Sequence, residues 1–495
     1  MSASQLPNID DQLVTPDNLP RTDLDGMDHV RCVALHNYLV DYCLAADGLL
    51  NTATEGSRAT YFSTHGEAAE AVRPRLHPSL TAFLAAARTP NTPLFFFVGG
   101  MPSPDAEFYG LFDNEIANNE DEFEDSIVRL YFPHMDACNG KSGGGMLYHQ
   151  RRHLASFFVH PHDTEYAFPV DQHPQSWHPL EIILSNWIDL IRLDKIVASP
   201  IDEPALYSGV KIGNWEWRPY GNGQIANCVA AWDRLCAAIE ARRRQTRGAT
   251  LDNDNHSPPT EPLLTSAAMD AARIPNPSFA RSFLGLAHRP RHIRQIASGL
   301  SLPPACPAAF AAAQPFTHLP RRMRQWVGML EWDEIVPPVY IFFSHPGAPQ
   351  VDISGPRWRS SFRRYWDDGH GKVPDGVAFP LSVPPGVYSE CLVRSEPEAT
   401  EEGFRMPLPF GLYGARLSDG GEMKDMLADE LFQHGFKPFG GDLNRPQRLE
   451  RLLDHWAGLV ERGVWSVGPH GVEGSIEMFK DAKLNWVDYV IPSSW

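Results

Sequence analysis

The densest chemistry in this sequence is a run of carboxylates, NNEDEFED at 118–125, which sets Glu120, Asp121, Glu122, Glu124 and Asp125 close together. Carboxylates so crowded repel one another at neutral pH. The run therefore either faces water or is neutralised by a cation, whether a divalent metal ion, an ammonium or a guanidinium. A second acidic spot, SDGGE at 418–422, carries Asp419 and Glu422 just before an apolar helical pattern. There Asp419 can cap the helix and Glu422 can sit in its first turn, the plainer of the two roles open to them.

Basic groups of opposite use lie between these acids. In residues 281–372, twelve Lys/Arg stand against six Asp/Glu, in a chain whose net charge is −18. They cluster as Arg289, Arg291 and Arg294, as Arg321, Arg322 and Arg324, and as Arg357, Arg359, Arg363 and Arg364, with Trp326, Trp358, Phe362, Tyr365 and Trp366 interleaved. Solvated arginines around core aromatics account for this pattern. So does a phosphate-binding surface, where guanidinium forks grip phosphate oxygens and rings stack on bases. The strongly negative whole argues against a protein coated by nucleic acid but allows such a local site.

The histidines gather in one stretch: His149, His153, His160, His162, His173 and His178. His160-Pro161-His162-Asp163 looks like a metal-ligand run, but Pro161 and the DTEY that follows favour a loop, and surface or capped histidines are the expected outcome. NGKSGGG at 139–145 is not a phosphate loop. Met135 stands where the first glycine belongs, and a glycine run opposes the helix that should begin at Lys141–Ser142. YGNGQIAN at 220–227 has Gly-x-Gly before a helix, yet Ala226 stands at the third glycine of a dinucleotide fingerprint, so a helix-start turn is expected. The residues thus call for no cofactor and no metal. Seven scattered cysteines without a CxxC argue for ordinary thiols in a reducing compartment.

These groups need elements to hold them. A chain of 495 residues, 43% hydrophobic, is large enough for two or three lobes. No stretch approaches the ~20 apolar residues of a membrane span, and the first residues lack a secretory pattern, so a cytoplasmic protein is expected. Residues 1–26 are polar and read as a loose N-terminus. Helical spacing marks 29–50, 79–88, 177–196, 224–244, 422–434 and 446–462. Short aromatic or β-branched runs mark strands at 94–98, 127–132, 157–160, 338–344, 377–381 and 408–415. The expected fold is mixed α/β with two intimately packed lobes, 27–245 and 278–495, separated by a Pro-rich linker or loop at 246–277. No internal repeat is visible.

Several segments together, WHPLEIILSNWIDLI, ADELFQHGFKPFGG, RPQRLERLLDHWAGLVERGVW and the terminal YVIPSSW, resemble the fungal arginine-containing cyclodipeptide synthases. The resemblance spans most of the chain. It implies a transferase of secondary metabolism that joins arginine, delivered as arginyl-tRNA, to a second amino acid and closes a diketopiperazine. An acidic DDxxE motif belongs to that family. Here Glu120-Asp121-Glu122-Phe123-Glu124 has Glu for its first Asp, and Ser418-Asp419-Gly420-Gly421-Glu422 has Ser, so the motif has two imperfect counterparts, the second being preferred. By the same resemblance Arg321, Arg322, Arg324, Arg363 and Arg364 would hold the RNA end. An aminoacyl ester is already activated, in keeping with the absence of a nucleotide loop. Two alternatives stand beside this expectation: another cytosolic transferase without a nucleotide cofactor, or a non-catalytic binding or scaffold protein.

Overall fold

The computed structural model describes residues 6–50, 59–106, 110–112, 126–134, 145–158, 170–172, 174–204, 211–247, 261–319, 322–325, 332–354, 378–393, 400–417, 421–423, 431 and 447–491. The fold is mixed α+β. In the first half the elements run α1 (His29–Ala46), α2 (Tyr61–Val72), α3 (Pro78–Ala86), β1 (Val98–Gly100), β2 (Ile127–Pro133), β3 (Gly145–His149), β4 (Leu154–Phe158), α4 (Leu180–Arg192), β5 (Ile196–Ala198), β6 (Lys211–Ile212) and β7 (Trp215–Trp217). In the second they run α5 (Asn222–Arg247), α6 (Ser266–Ala271), α7 (Phe279–Leu286), β8 (Gln295–Ala297), β9 (Leu300–Ser301), α8 (Pro307–Ala312), β10 (Arg322–Gln325), β11 (Trp332–Ile335), β12 (Val339–Ser344), β13 (Val351–Asp352), β14 (Ser382–Val383), β15 (Gly386–Val393), β16 (Thr400–Arg405), α9 (Leu449–Glu461), β17 (Val467–Gly468), β18 (Gly471–Val472) and α10 (Trp486–Tyr489).

The two halves are copies of one architecture, which the sequence did not disclose. Each opens with a long helix, then two shorter ones, then four antiparallel strands in order, then a helix and a short hairpin. The first sheet runs β1-β2-β3-β4, and its counterpart β9-β12-β15-β16 forms part of a seven-stranded sheet. The correspondence reaches single atoms. His36 Nε2 bonds to the Arg88 carbonyl, and Trp232 Nε1 donates to the His288 carbonyl, both at 2.8 Å. His36 stacks on Tyr131 with ring centroids 5.7 Å apart, and Trp232 stacks on Phe342 at 5.7 Å. The ladder β2–β3 slips between Arg129 and Tyr131, and β12–β15 slips between the matching Tyr340 and Phe342. Ala155 N donates to His178 O, and Phe404 N donates to Gln447 O.

With the frame known, the sequence shows its remnants. Cys32-Val33-Ala34 matches Cys228-Val229-Ala230 at the head of α1 and α5. Leu180-Glu181, Leu184 and Trp187 match Leu449-Glu450, Leu453 and Trp456 on α4 and α9. These positions are retained because each helix must present the same apolar stripe to its sheet, and Trp187 and Trp456 are wholly buried.

Two apolar cores follow the copies. One gathers buried residues from Ile9 to Trp217, the other from Ile225 to Ile491. The core therefore changes just before α5, and α5 packs with the second copy. The segment expected as a linker contributes Leu263, Leu264, Ala268, Met269 and Ile274 to that core; its residues 248–260 lie outside the described ones. The expected loose N-terminus is pinned instead. Ile9 and Leu13 are buried, and the buried Arg31 guanidinium donates to the carbonyls of Gln12, Leu13, Asn18 and Leu19.

Most expected helices stand, with ends shifted by a few residues; α2, α6, α7, α8 and α10 were missed. Four expected strands shift or do not form where placed. Leu94–Phe97 are buried but only Phe95 and Val98 bridge, and pairing with β2 begins at Val98. The strand placed at 408–415 is instead β16 at 400–405, because the charged TEEGFR edge pairs with β15 while 408–415 packs without a ladder. No strand forms over the described residues 378–381, the nearest being β14 at Ser382–Val383, and Phe157–His160 begins earlier, as β4. Among the described residues no helix is long and apolar enough to cross a membrane.

The copies share one backbone device. Gly145 and Gly386 both take positive φ, 109° and 137°, and a Cβ there would stand 2.4 Å from the Tyr131 carbonyl oxygen or 2.5 Å from that of Phe342. Gly347 also has positive φ, 93°, but open space around it. Gly386→Ala should therefore cost at least about 2 kcal/mol more stability than Gly347→Ala, since both pay for the φ but only one collides with backbone. Urea unfolding of the two variants checks this; equal losses would refute the collision.

Candidate functional site

The first copy carries an open cleft of about 580 Å³ between the N-terminal segment, the start of α1 and the start of α3. Its walls include Asp11, Asn18, Asp25, Asp28, Met27 and Ala82. Two arginines also border it, but both are engaged: Arg21 pairs with Asp23 at 2.7 Å, and Arg31 is spent on the four carbonyls above. The cleft therefore offers Asp11, Asp25 and Asp28 toward a cation. Asp28 also caps α1, accepting from Arg31 N at 3.1 Å.

At its edge, Asp25, His77 and His153 bring one ligand atom each to within 4.8 Å of one another. His77 is the N-cap of α3, and its Nδ1 lies 2.8 Å from Ser79 Oγ. His153 occupies the turn between β3 and β4 with φ 56°, a left-handed conformation unusual for a residue with a Cβ. Its Nδ1 lies 3.3 Å from the Tyr148 hydroxyl, and its ring centroid is 4.6 Å from that of His77. Burial, and then the neighbouring His77, lower the His153 pKa, so its ring is held neutral.

The second copy treats the same place differently. Strand register sets Glu402 where His153 stands, and Ser389 where Tyr148 stands. Ser389 Oγ donates to Glu402 Oε1 at 2.5 Å, repeating the hydroxyl contact of the first copy. Here the group is sealed. Lys195, 1% exposed, comes across from the first copy and donates to Pro219 O at 2.6 Å, and Glu402 N donates to the same carbonyl at 2.9 Å. Burial pushes the Glu402 carboxyl up to about 8, with Ser389 and Lys195 opposing. Glu450 is raised by burial and lies 2.9 Å from Arg448, while Glu390 pairs with Arg405. Glu181, matching Glu450 in the first copy, is likewise raised by burial and takes the Cys32 thiol at 3.6 Å.

The residues singled out in the sequence are mostly not brought together. Glu120, Asp121, Glu124, Asp419, Arg321, Arg363 and Arg364 lie outside the described residues, as do His160, His162 and His173. Glu422 is exposed and forms a bridge with Arg416, so it does not begin a helix; of the rest of that expected helix only Met423 and Leu431 are described, both buried. Arg322 and Arg324 lie on β10. Arg289 donates to the carbonyls of Leu263 and Pro303 and is structural, whereas Arg291 and Arg294 are exposed. The Gly-x-Gly at 221–223 is a packing device, as expected of a helix start: a Cβ on Gly221 or Gly223 would meet the carbonyl oxygen of Leu193 or Arg192 at 2.2 and 2.3 Å. Cys32, Cys43 and Cys228 are buried free thiols.

Of the residues that do converge, only His153 was flagged. Asp25, His77, Lys195, Glu402 and Glu450 gave one readable signal, a Glu set inside each apolar helix pattern at 181 and 450.

Comparisons with protein-family models, with curated proteins and with solved structures found no match to this chain.

Glu402 makes stability depend on pH. The unfolded chain releases this proton near the ordinary 4.5, whereas the folded chain holds it to about 8. Stability contributed by the protonated form is complete below about 4.5 and is lost as pH rises toward about 8. Urea unfolding across that range should show a falling stability, and Glu402→Gln should flatten the slope. An unchanged slope in the variant would mean that the carboxyl is ionised within the seam.

Proposed function

We propose that this chain is a tRNA-dependent cyclodipeptide synthase that takes arginine as one of its two amino acids, with the first-copy cleft receiving the guanidinium side chain. The observation that carries the reading is an acidic cleft whose bordering arginines are already engaged, leaving Asp11 and Asp28 to face an incoming cation. A guanidinium needs carboxylate oxygens set for paired hydrogen bonds and apolar surface for its methylene stem, and Met27 and Ala82 provide the latter. The resemblance of the helices at 177–196 and 446–462 to arginine-using synthases supports the same substrate.

The reaction asks for positioning more than for activation. The α-amine of one aminoacyl unit attacks the ester carbonyl of the other. An amide forms, the ester C–O bond breaks, and the amine proton ends on the departing tRNA hydroxyl. The second amine then attacks the remaining ester and closes the ring. Holding amine and carbonyl ~3–3.5 Å apart supplies much of the acceleration. The exposed Arg291 and Arg294 are among the described basic residues suited to phosphates.

The test is product formation. Purified protein with arginine, a second amino acid, tRNA and the matching synthetases should give a cyclic arginine dipeptide by mass spectrometry, and ribonuclease should abolish it. Asp11→Asn and Asp28→Asn should each lower product formation tenfold or more at limiting arginyl-tRNA. Absence of any arginine dipeptide would end the synthase reading; full activity in both variants would remove the cleft from it.

A further inference from the structure

We propose that Asp25, His77 and His153 form a binding site for one transition-metal ion of the zinc class. It goes beyond the synthase reading and does not depend on it. The donor set is two imidazoles and one carboxylate, which suits Zn²⁺ or Co²⁺ and is unlike the all-oxygen sets that select Mg²⁺ or Ca²⁺. Their ligand atoms already lie within 4.8 Å of one another. Bonds of ~2.0–2.1 Å in tetrahedral geometry place ligand atoms ~3.3 Å apart, so side-chain rotation alone closes the site.

Three further observations separate this cluster from a chance meeting of polar groups. Both rings are held at Nδ1: His77 Nδ1 accepts from Ser79 N at 3.3 Å and lies 2.8 Å from the Ser79 hydroxyl, and His153 Nδ1 lies 3.3 Å from the Tyr148 hydroxyl. Binding at Nε2 puts the proton on Nδ1 of each ring, where the Ser79 or Tyr148 hydroxyl accepts it, and His77 then gives up its 3.3 Å cap bond from Ser79 N. His153 is held at φ 56°, and backbone strain at a residue with a Cβ marks a position kept for its side chain.

The duplication supplies an internal control. The second copy has Pro277 where the first has His77, and Glu402 where it has His153, and it builds the same strands and helices. The fold does not require these imidazoles. Three protein ligands would leave a coordination position for water or substrate, and Asp25 also lines the cleft.

The full chain, stripped with a chelator, is titrated separately with Zn²⁺ and Co²⁺ by calorimetry, with the visible absorption of Co²⁺ reporting the geometry. One equivalent should bind. His153→Gln and Asp25→Asn should each weaken it tenfold or more, while His345→Gln, at an exposed histidine elsewhere, should leave it unchanged. His77 also caps α3, so His77→Ala is read only beside circular dichroism, and the other two variants keep the test decisive if it unfolds. Failure of the wild-type chain to bind either ion overturns the proposal. So does full affinity in both His153→Gln and Asp25→Asn, which would put the ion elsewhere.

Discussion

A lysine ammonium buried between two copies of one fold constrains much of the rest of this structure. Lys195 enters from the end of α4 in the first copy, and its carbonyl and carboxylate partners lie around the opening of the second. Taking such an ion out of water costs several kcal/mol even after relaxation, and the cost is offset only where partners are fixed in place. Pro219 O is fixed by two donors, Lys195 Nζ and Glu402 N. The chain then enters α5 through glycines that let its backbone touch the end of α4. Separating the copies would return the ammonium and the carboxyls to water, so the seam persists only through fixed partners that offset their desolvation. Protonation of Glu402 near neutrality tunes this balance without changing its partners.

The duplication explains which features repeat and which do not. Repeated features belong to backbone geometry: the slipped ladders, the tight glycines after β2 and β12, and the ring nitrogen that reaches a carbonyl at the end of α3 or α7. His36 and Trp232 do this last job equally well because each offers a flat ring with a nitrogen at the right reach. Burial lowers the His36 pKa to about 4, so it serves as a neutral ring, as Trp232 does by nature. The diverged pair stands in the β3–β4 turn of the first copy and on β16 of the second, where one copy keeps an imidazole near solvent and the other a sealed carboxyl.

Sequence patterns revealed the elements better than their assembly. Strands 127–132 and 338–344 and helices 29–50, 177–196 and 446–462 could be read because each carries a long apolar periodicity. The same reading missed α2, whose apolar positions are few, and misplaced β16, whose TEEGFR sequence is too charged to look like a strand until the β15 edge pairs with it. The repeat escaped notice because only scattered identities survive, such as Cys32 with Cys228 and Trp187 with Trp456. Tertiary packing conserves contact geometry while residue types drift. Buried charges were illegible for a related reason: nothing local distinguishes Lys195 from a surface lysine, since its burial depends on a segment far along the chain.

That drift also shapes the surroundings of the first-copy cleft. In the first copy Arg31 gathers the carbonyls of residues 12–19 and so roofs the start of α1 with an extra length of chain, leaving a gap above Ser79. In the second copy Asn227 occupies the position of Arg31 and cannot reach as far. Tyr220 instead packs edge-on against Phe279, which replaces Ser79, with ring centroids 5.9 Å apart. The first-copy cleft has the imidazoles of His77 and His153 at its edge, so recognition of a cation and any metal chemistry would share a wall.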